Sequence, residues 1–350
     1  MEGRLEHQIK IEKSVEKFVL DKPDYVKGYY NGLSSKGSYT SRRFYVHIVC
    51  KYINYLKSQG YDINDMSVFN VDNTNLFFSS IKYNNKGGVV KETSNSYKKV
   101  VWSCLNDFYK YLVGTSRIDK NPCDYIQRAK GTDNVKRVCM APSDINTIIK
   151  KIDNDINKTE ESRKWSKYRN KAIIYILITT GVRITALTEI NVNDVMFAHD
   201  ESGKIAGATI RITDKEHRYY ERYVPKEAAV AIKEWITERA KVISYKEKDA
   251  LFISSYRMRI SATMVRNIVE SYSPVIDGKQ ITPHKFRATY GTMLYKETKD
   301  IYYVQKQMGH KNPSTTEIYV VDDGSDERKA SEIIERVMNK GKHNKNKDSD

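Results

Sequence analysis

Cysteine is scarce in this sequence, and long apolar segments are missing. Only four of the 350 residues are cysteine, Cys50, Cys104, Cys123 and Cys139, and no CxxC pair occurs. A disulfide framework or a cysteine zinc site is therefore not expected. No apolar run approaches the ~20 residues that cross a bilayer, and the N-terminal segment MEGRLEHQIKIEKSVEKF lacks the apolar core of a secretion signal. We expect a cytoplasmic protein without membrane contact and without a bound metal.

Negative charge is also in deficit. Asp and Glu number 44 against 60 Lys and Arg, which gives a formal net charge of +16 at pH 7. Lys and Arg neutralise phosphates and release counterions, so the surplus suits a nucleic-acid partner. A basic, well-solvated surface is the alternative, because net charge alone does not define a partner.

The spacing of apolar residues predicts helices in the first third of the chain. One helix is expected from Tyr39 to Leu56, and a second from about Ser94 to Leu112 with Ser94 or Asn95 as its cap. The stretch between them, which contains Asn84, Asn85, Gly87 and Gly88, is expected to be a loop.

A polar, basic segment lies beyond the second helix, and its composition is typical of an interdomain linker. Beyond it, Ser143 is a candidate N-cap, and a helix is expected from Trp165 to Ile178. A further helix should begin near Thr185. The spacing of apolar residues then changes from the helical period to alternation. Residues 208–213 and 222–225 are therefore expected to pair as a β-hairpin.

The sequence has no Walker loop, GxGxxG, HExxH or GxSxG motif. Its chemistry-bearing groups are Arg183 behind a glycine, His284-x-x-Arg287, Gly309-His310 and Tyr319. Around one point, two arginines and two histidines could hold a phosphodiester while a tyrosine attacks it. Singly, each residue is as easily a surface group, and the chain has 26 tyrosines. The order and spacing carry the interpretation.

Residues 140–320 resemble the tyrosine recombinases, the phage-integrase family. The family pattern is a Thr-Gly-x-Arg turn, a lysine on a β-hairpin, His-x-x-Arg, Gly-His and a tyrosine nine residues after that histidine. The matching positions are Arg183, Lys215, His284, Arg287, His310 and Tyr319. The resemblance implies a mainly α fold. It consists of a helical core-binding domain and a mixed α+β catalytic domain, mostly helical with a small antiparallel sheet.

Two departures from the family pattern are visible. Many members carry an acidic residue three positions after the first arginine, where this chain has Ala186; Glu189 lies one turn further on. The usual Gly-Lys-Gly of the hairpin is Asp214-Lys215-Glu216, so His217 or Arg218 are alternatives to Lys215.

The resemblance implies that DNA is cut and rejoined through a 3′-phosphotyrosine on Tyr319, with no cofactor. Arg183 and Arg287 would hold the non-bridging oxygens, and His284 would act as the base. His310 would donate to the phosphoryl group, and Lys215 would protonate the departing 5′ oxygen.

The expected domains are a core-DNA-binding domain (1–126), a basic linker (127–141), a catalytic domain (142–322) and a C-terminal helix with a charged tail (323–350). The candidate phosphate contacts of the first domain are Arg42, Arg43, Lys98 and Lys99. The partner would be double-stranded DNA with inverted-repeat core sites, bound by a homotetramer on two sites through the C-terminal helix, with an accessory factor as an option.

Several functions remain open from the sequence. The favoured one is the integrase of a mobile element, and a Xer-like chromosome or plasmid resolvase is the nearest competitor. A telomere resolvase or a type IB topoisomerase would share the chemistry, but the modest length and simple layout argue against both. A catalytically inactive DNA-binding protein is the alternative of another class, and the complete set of site residues argues against it.

Overall fold

The chain divides into two compact units, residues 1–136 and 137–350. The computed structural model describes residues 12–35, 39–84, 90–129, 139–213, 219–244, 247–273, 275–276 and 279–309. Each unit has its own apolar core, and each is described separately below.

Helices form most of the first unit. They are α1 (12–19), α2 (Asp24–Gly32), α3 (Tyr39–Ser58), α4 (Val71–Ser80) and α5 (Asn95–Gly114), with short 3₁₀ turns at Leu33–Ser35, Met66–Val68 and Pro122–Tyr125. Two short antiparallel strands, β1 (Lys82–Asn84) and β2 (Val90–Glu92), lie between α4 and α5. The core is rich in aromatic side chains that meet edge-on, as Tyr29 and Phe108 do with their ring centroids 5.2 Å apart.

The two helices predicted in this unit are confirmed. Apolar residues repeat along α3 and α5 every three or four positions, so one stripe of each helix is buried. The Ser94 side chain accepts a hydrogen bond from the Tyr97 N–H and so caps α5. Strands β1 and β2 pair on either side of the segment predicted as a loop, and Asn84 belongs to β1, so the loop does not begin there. Asn85, Gly87 and Gly88 lie outside the described residues.

The second unit contains seven described helices around a small sheet. The helices are α6 (Pro142–Lys158), α7 (Glu161–Thr180), α8 (Ile184–Glu189), α9 (Lys226–Ala240), α10 (Ala262–Tyr272), α11 (Pro283–Thr298) and α12 (Ile301–Met308). The sheet is antiparallel in the order β3 (Val195–His199), β4 (Ile205–Thr213) and β5 (Tyr219–Pro225). A two-residue pair, β6 (Val275–Ile276) and β7 (Lys279–Gln280), lies apart from it, and a 3₁₀ turn at Val192–Asp194 precedes β3. The mainly α fold with a small antiparallel sheet is confirmed.

Local differences from the expectations have simple causes. Strand β3 was not predicted, because it lies at the sheet edge and no residue in it is fully buried. Strand β5 begins at Tyr219, since Tyr219 pairs with Thr213 across the hairpin. The N-cap of α6 is Ala141 and not Ser143; the Asp144 carboxylate accepts a hydrogen bond from the Ala141 N–H at 2.7 Å. Within the described ranges, no helix has the length and apolarity needed to span a bilayer.

Candidate active site

A glycine turn places Arg183 at the start of α8. Helix α7 ends at Thr180, and Gly181 follows in the left-handed region with φ 57°. A Cβ at Gly181 would lie 2.8 Å from Cγ of Tyr290 on α11. Both the backbone conformation and the close packing therefore require glycine. Arg183 is the N-cap residue of α8, and its half-exposed side chain leaves the turn at a fixed point of the fold.

Helix α11 carries the next two predicted residues. It starts with Pro283 in its first turn, so His284 lies close to its N-terminus and is exposed. Arg287 is one turn further along and is only 6% exposed. Because residues three apart share a helix face, the two side chains leave α11 on the same side.

Arg287 connects this helix to two other elements. Its Nη1 donates to the carbonyl oxygen of Gly181 at 2.6 Å. Its Nη2 donates to the carbonyl oxygen of Met308 at the end of α12. A guanidinium is planar, so two contacts with fixed backbone carbonyls orient its plane. The structure thereby joins the turn before Arg183 to the helix that carries His284 and Arg287.

The end of α12 is the third part of the site. The helix stops at Gly309, which has φ 59° and acts as a left-handed C-cap. Arg222 of β5 reaches this end as well, and its Nη2 donates to the carbonyl oxygen of Gln307 at 2.6 Å. Arg222 was missed in the sequence, because nothing in its own segment indicates a contact with residues more than eighty positions away.

Three predicted residues lie outside the described part of the chain. They are Lys215, with its alternatives His217 and Arg218, and the pair His310 and Tyr319. Two of them lie close in sequence to described residues. Lys215 is two positions beyond the end of β4, and His310 directly follows Gly309.

Ala186 stands where many family members carry an acidic residue, and in this chain it is a packing residue. Ala186 is 8% exposed and belongs to the apolar core of the second unit, so no carboxylate supports Arg183 from there. The end of α8 is held instead by Arg259. Its guanidinium donates to the Thr188 carbonyl at 3.0 Å and to the Asn191 side-chain oxygen at 2.7 Å. We assign the support of this segment to the contacts of the partly buried Arg259 with Thr188 and Asn191 and of the buried Arg287 with the Gly181 carbonyl.

Burial also shapes the electrostatics near the site. It lowers the pKa of the Arg222 guanidinium from its usual value, because desolvation disfavours the charged form. For the same reason the pKa of Tyr290 is raised above its ordinary value, and the positive charges of Arg222 and Arg287 oppose that rise. Tyr290 is therefore a neutral packing residue at neutral pH.

The candidate DNA contacts of the first unit differ in their surroundings. Arg43 and Lys99 are exposed and Lys98 is half-exposed. Arg42 donates to the Ser34 carbonyl and lies 4.8 Å from the Tyr39 ring centroid, so it also ties α3 to the preceding turn.

Two further cations of the first unit lie over aromatic rings of α5. Lys51 is exposed two turns after Arg43 on α3, and its Nζ is 5.9 Å from the Tyr97 ring centroid on α5. Arg128 lies 5.4 Å from the Trp102 ring centroid and donates to the Ser103 hydroxyl at 3.0 Å. Lys51 was missed in the sequence, although its spacing of eight residues from Arg43, about two helical turns, was a usable signal. Arg128 lies in the segment predicted as the basic linker, but it was not singled out there.

No group of three or more His, Cys, Asp or Glu side chains among the described residues could hold a metal ion.

The comparison with family models matches residues 139–325 to the phage integrase family.

Curated relatives agree with this match. The tyrosine recombinase XerC of Caldanaerobacter subterraneus subsp. tengcongensis is 27% identical over 279 residues, which cover 77% of this chain and 71% of that protein. The tyrosine recombinase XerC of Bacillus subtilis is 25% identical over 281 residues, which cover 79% of this chain and 83% of that protein.

Solved structures share the fold. XerH recombinase bound to its difH substrate superposes with a TM-score of 0.63 at 18% identity, covering 93% of this chain and 84% of that chain. A lambda integrase dimer bound to a COC′ core site gives a TM-score of 0.58 at 16% identity, covering 86% and 95%. With the family match spanning more than half of the sequence, the chain belongs to the phage integrase family and is a tyrosine-type site-specific DNA recombinase.

Proposed function

We propose that this chain cuts and rejoins DNA through a 3′-phosphotyrosine on Tyr319 and that it is the integrase of a mobile element. The observation that carries the proposal is the pair of contacts from Arg287 to the carbonyls of Gly181 and Met308. Through them the elements that bear Arg183, His284 and Arg287 meet, and the chain passes from this point into His310 and Tyr319.

Each group has a distinct task in the reaction. A phenol has an unperturbed pKa near 10, so Tyr319 needs a base to attack at neutral pH, and His284 is the candidate. Arg183 and Arg287 hold the non-bridging oxygens, where negative charge builds up in the transition state. His310 donates to the same phosphoryl group, and Lys215 protonates the 5′ oxygen that leaves.

No metal or nucleotide is needed in this scheme. The bond from phosphorus to the 5′ oxygen breaks as the bond to the Tyr319 oxygen forms. The phosphodiester is therefore exchanged and not hydrolysed, and its energy is retained for the attack of a 5′ hydroxyl that rejoins the strand.

We assign DNA binding outside the active site to residues 1–126 and to the basic linker, 127–141. The catalytic domain would cover 142–322. Arg43, Lys98 and Lys99 are exposed wholly or in part on α3 and α5, so they are placed to contact phosphates. Arg42 is the weaker candidate, since its guanidinium already contacts Ser34 and Tyr39.

The partner is double-stranded DNA with an inverted-repeat core site. Two such sites would be joined by four copies of the chain, linked through the C-terminal helix within 323–350. The apolar stripe Ile333, Ile334, Val337 and Met338 supplies the contact surface of that helix. Lambda integrase forms a tetramer on a Holliday junction, which supports the same assembly here. An accessory factor would set the direction of the reaction.

A Xer-like resolvase is the second candidate, and the XerC relatives favour it. Integration joins two different DNA sites, whereas resolution separates two copies of one site. Sites are first captured covalently by the wild-type chain from a pool of duplexes with randomised inverted repeats. Two reporter plasmids then carry either two copies of one captured site or two different captured sites. Recombination of the unlike pair supports an integrase, and recombination of the identical pair alone supports a resolvase.

A further inference from the structure

Arg222 links the hairpin of the catalytic unit to the end of α12. It lies on β5, the strand that follows the Lys215 segment. Its Nη2 donates to the carbonyl oxygens of Gln307 at 2.6 Å and of Lys306 at 3.3 Å. The last carbonyls of a helix lack the usual partners four residues on. The Lys306 carbonyl accepts from the Gly309 N–H at 3.2 Å, and the guanidinium of Arg222 supplies a donor to the Gln307 carbonyl.

The guanidinium of Arg222 is held from its own side as well. Its Nη1 donates to the Glu221 carbonyl at 2.8 Å, and its Cζ lies 4.4 Å from the Tyr220 ring centroid. A cation over an aromatic face is attracted by the ring, and the planar group stacks on it. Contacts with β5 thus fix the direction in which Arg222 meets α12.

A second arginine donates a hydrogen bond to the next carbonyl of α12. Arg287 donates to Met308, so two arginines from different elements bind three consecutive carbonyls, those of Lys306, Gln307 and Met308. The next residue is the left-handed Gly309, and the one after it is His310. The end of α12 is therefore anchored on both sides immediately before the chain reaches His310.

We propose that Arg222 is a positioning residue of the recombinase. It fixes the end of α12 against β5 and so determines where His310 enters the active site. The proposal rests on the function proposed above for His310. A group displaced by about an ångström from its productive position can lower a rate by roughly a hundredfold, so the anchor has a measurable kinetic effect although Arg222 does not touch the DNA phosphate in this scheme.

The first test measures strand cleavage by the full-length chain. The probe is a nicked duplex that carries a site captured by the wild-type chain from the randomised pool, and the readout is the single-turnover rate of forming an SDS-stable adduct. Arg222→Ala should lower this rate by roughly ten- to a hundredfold, while the Kd for the same duplex stays within about twofold. An unchanged rate would overturn the proposal.

Arg222→Lys separates charge from geometry. Lysine keeps the positive charge but lacks the fork that reaches two carbonyls while it stacks on Tyr220. Its cleavage rate should lie between those of Arg222→Ala and the wild-type chain. If the alanine variant fails to fold, the lysine variant decides alone, and a wild-type rate for it would contradict the proposal.

A double-mutant cycle distinguishes positioning from a general loss of stability. Because Arg222 acts through His310, Arg222→Ala should change the rate of a His310→Ala chain by less than about twofold. A merely structural role would instead give the same fold loss in both backgrounds, and that outcome would refute the proposal.

Arg211→Ala is the matched control. Arg211 lies on the adjacent strand β4, is exposed, and forms an ion pair with Glu221 of β5 at 3.9 Å. It should cleave at the wild-type rate. Adduct formation by the wild-type chain is the control for the proposed function. If it forms no adduct, the proposed function fails, whereas a wild-type adduct with full activity of Arg222→Ala refutes only the positioning role.

Discussion

Arg287 and Gly181 lie 106 positions apart in the sequence and are joined by a hydrogen bond of 2.6 Å from Nη1 to the carbonyl oxygen. Gly181 ends α7 and precedes the turn that presents Arg183, while Arg287 lies on α11 with His284. The two arginines that are proposed to hold one phosphate are thus positioned by the same turn. Loss of this contact should affect catalysis more than DNA binding.

Arg287→Lys tests that relationship. Lysine keeps the charge but cannot contact the carbonyls of both Gly181 and Met308 through a planar fork. The cleavage rate should fall by about a hundred- to a thousandfold, the range for loss of one transition-state donor, with little change in the Kd for DNA. Arg266→Lys, on the exposed face of α10, is the control and should cleave normally. Equal rates for the two variants would remove Arg287 from the site.

Gly181→Ala tests the turn itself, with Gly203→Ala as its control. Both glycines have positive φ, but a Cβ would meet Tyr290 only at Gly181, and nothing lies within 4 Å at Gly203. Gly203→Ala should lower the free energy of unfolding by about 1–2 kcal/mol, the cost of the left-handed conformation. Gly181→Ala should lower it by about 1–3 kcal/mol more because of the overlap. Urea unfolding measures both, and equal losses would show that the packing against Tyr290 is unimportant.

Much of this fold could be predicted because it is encoded locally. Helices α3 and α5, the cap at Ser94 and the turn at Gly181 follow from apolar spacing and from residue types that suit those positions. Edge strand β3 could not be predicted, since its half-buried residues alternate weakly.

The candidate site likewise has residues that the sequence predicts and supporting contacts that it does not. Arg183, His284 and Arg287 are recognisable by their spacing, but their supports are not. The contacts of Arg222 with α12 and of Arg259 with the end of α8 join segments about seventy or more positions apart. Long-range contacts between a side chain and backbone carbonyls leave no periodic signal in the sequence. The replacement of an acidic residue by Ala186 was visible, whereas the backbone support around it was not.

The salt dependence of DNA binding tests the surface of the first unit. Each phosphate contact that is lost should reduce the slope of log K against log salt concentration by about 1. Lys98→Ala and Lys99→Ala should each show this reduction for a duplex with the captured site. Lys110→Ala, exposed near the other end of α5, should keep the wild-type slope. A slope unchanged in all three variants would place the DNA elsewhere on this unit.

Removal of metal ions tests the assignment of the charge-stabilising groups. If Arg183, Arg287 and His310 stabilise the phosphoryl charge, a chelator should leave the rate of adduct formation unchanged. The measurement compares the single-turnover rate in EDTA with the rate in Mg²⁺. A reaction that EDTA abolishes and Mg²⁺ restores would require a metal ion in the scheme.

Covalent trapping on the nicked duplex tests the central assignment of the nucleophile most directly. The wild-type chain should form an SDS-stable protein–DNA adduct, and Tyr319→Phe should form none while it binds the same DNA with unchanged affinity. Tyr302→Phe and Tyr303→Phe are the controls, because both tyrosines lie on α12 and are exposed, and both variants should still form the adduct. An adduct that persists in Tyr319→Phe would contradict the account and assign the chemistry to another tyrosine.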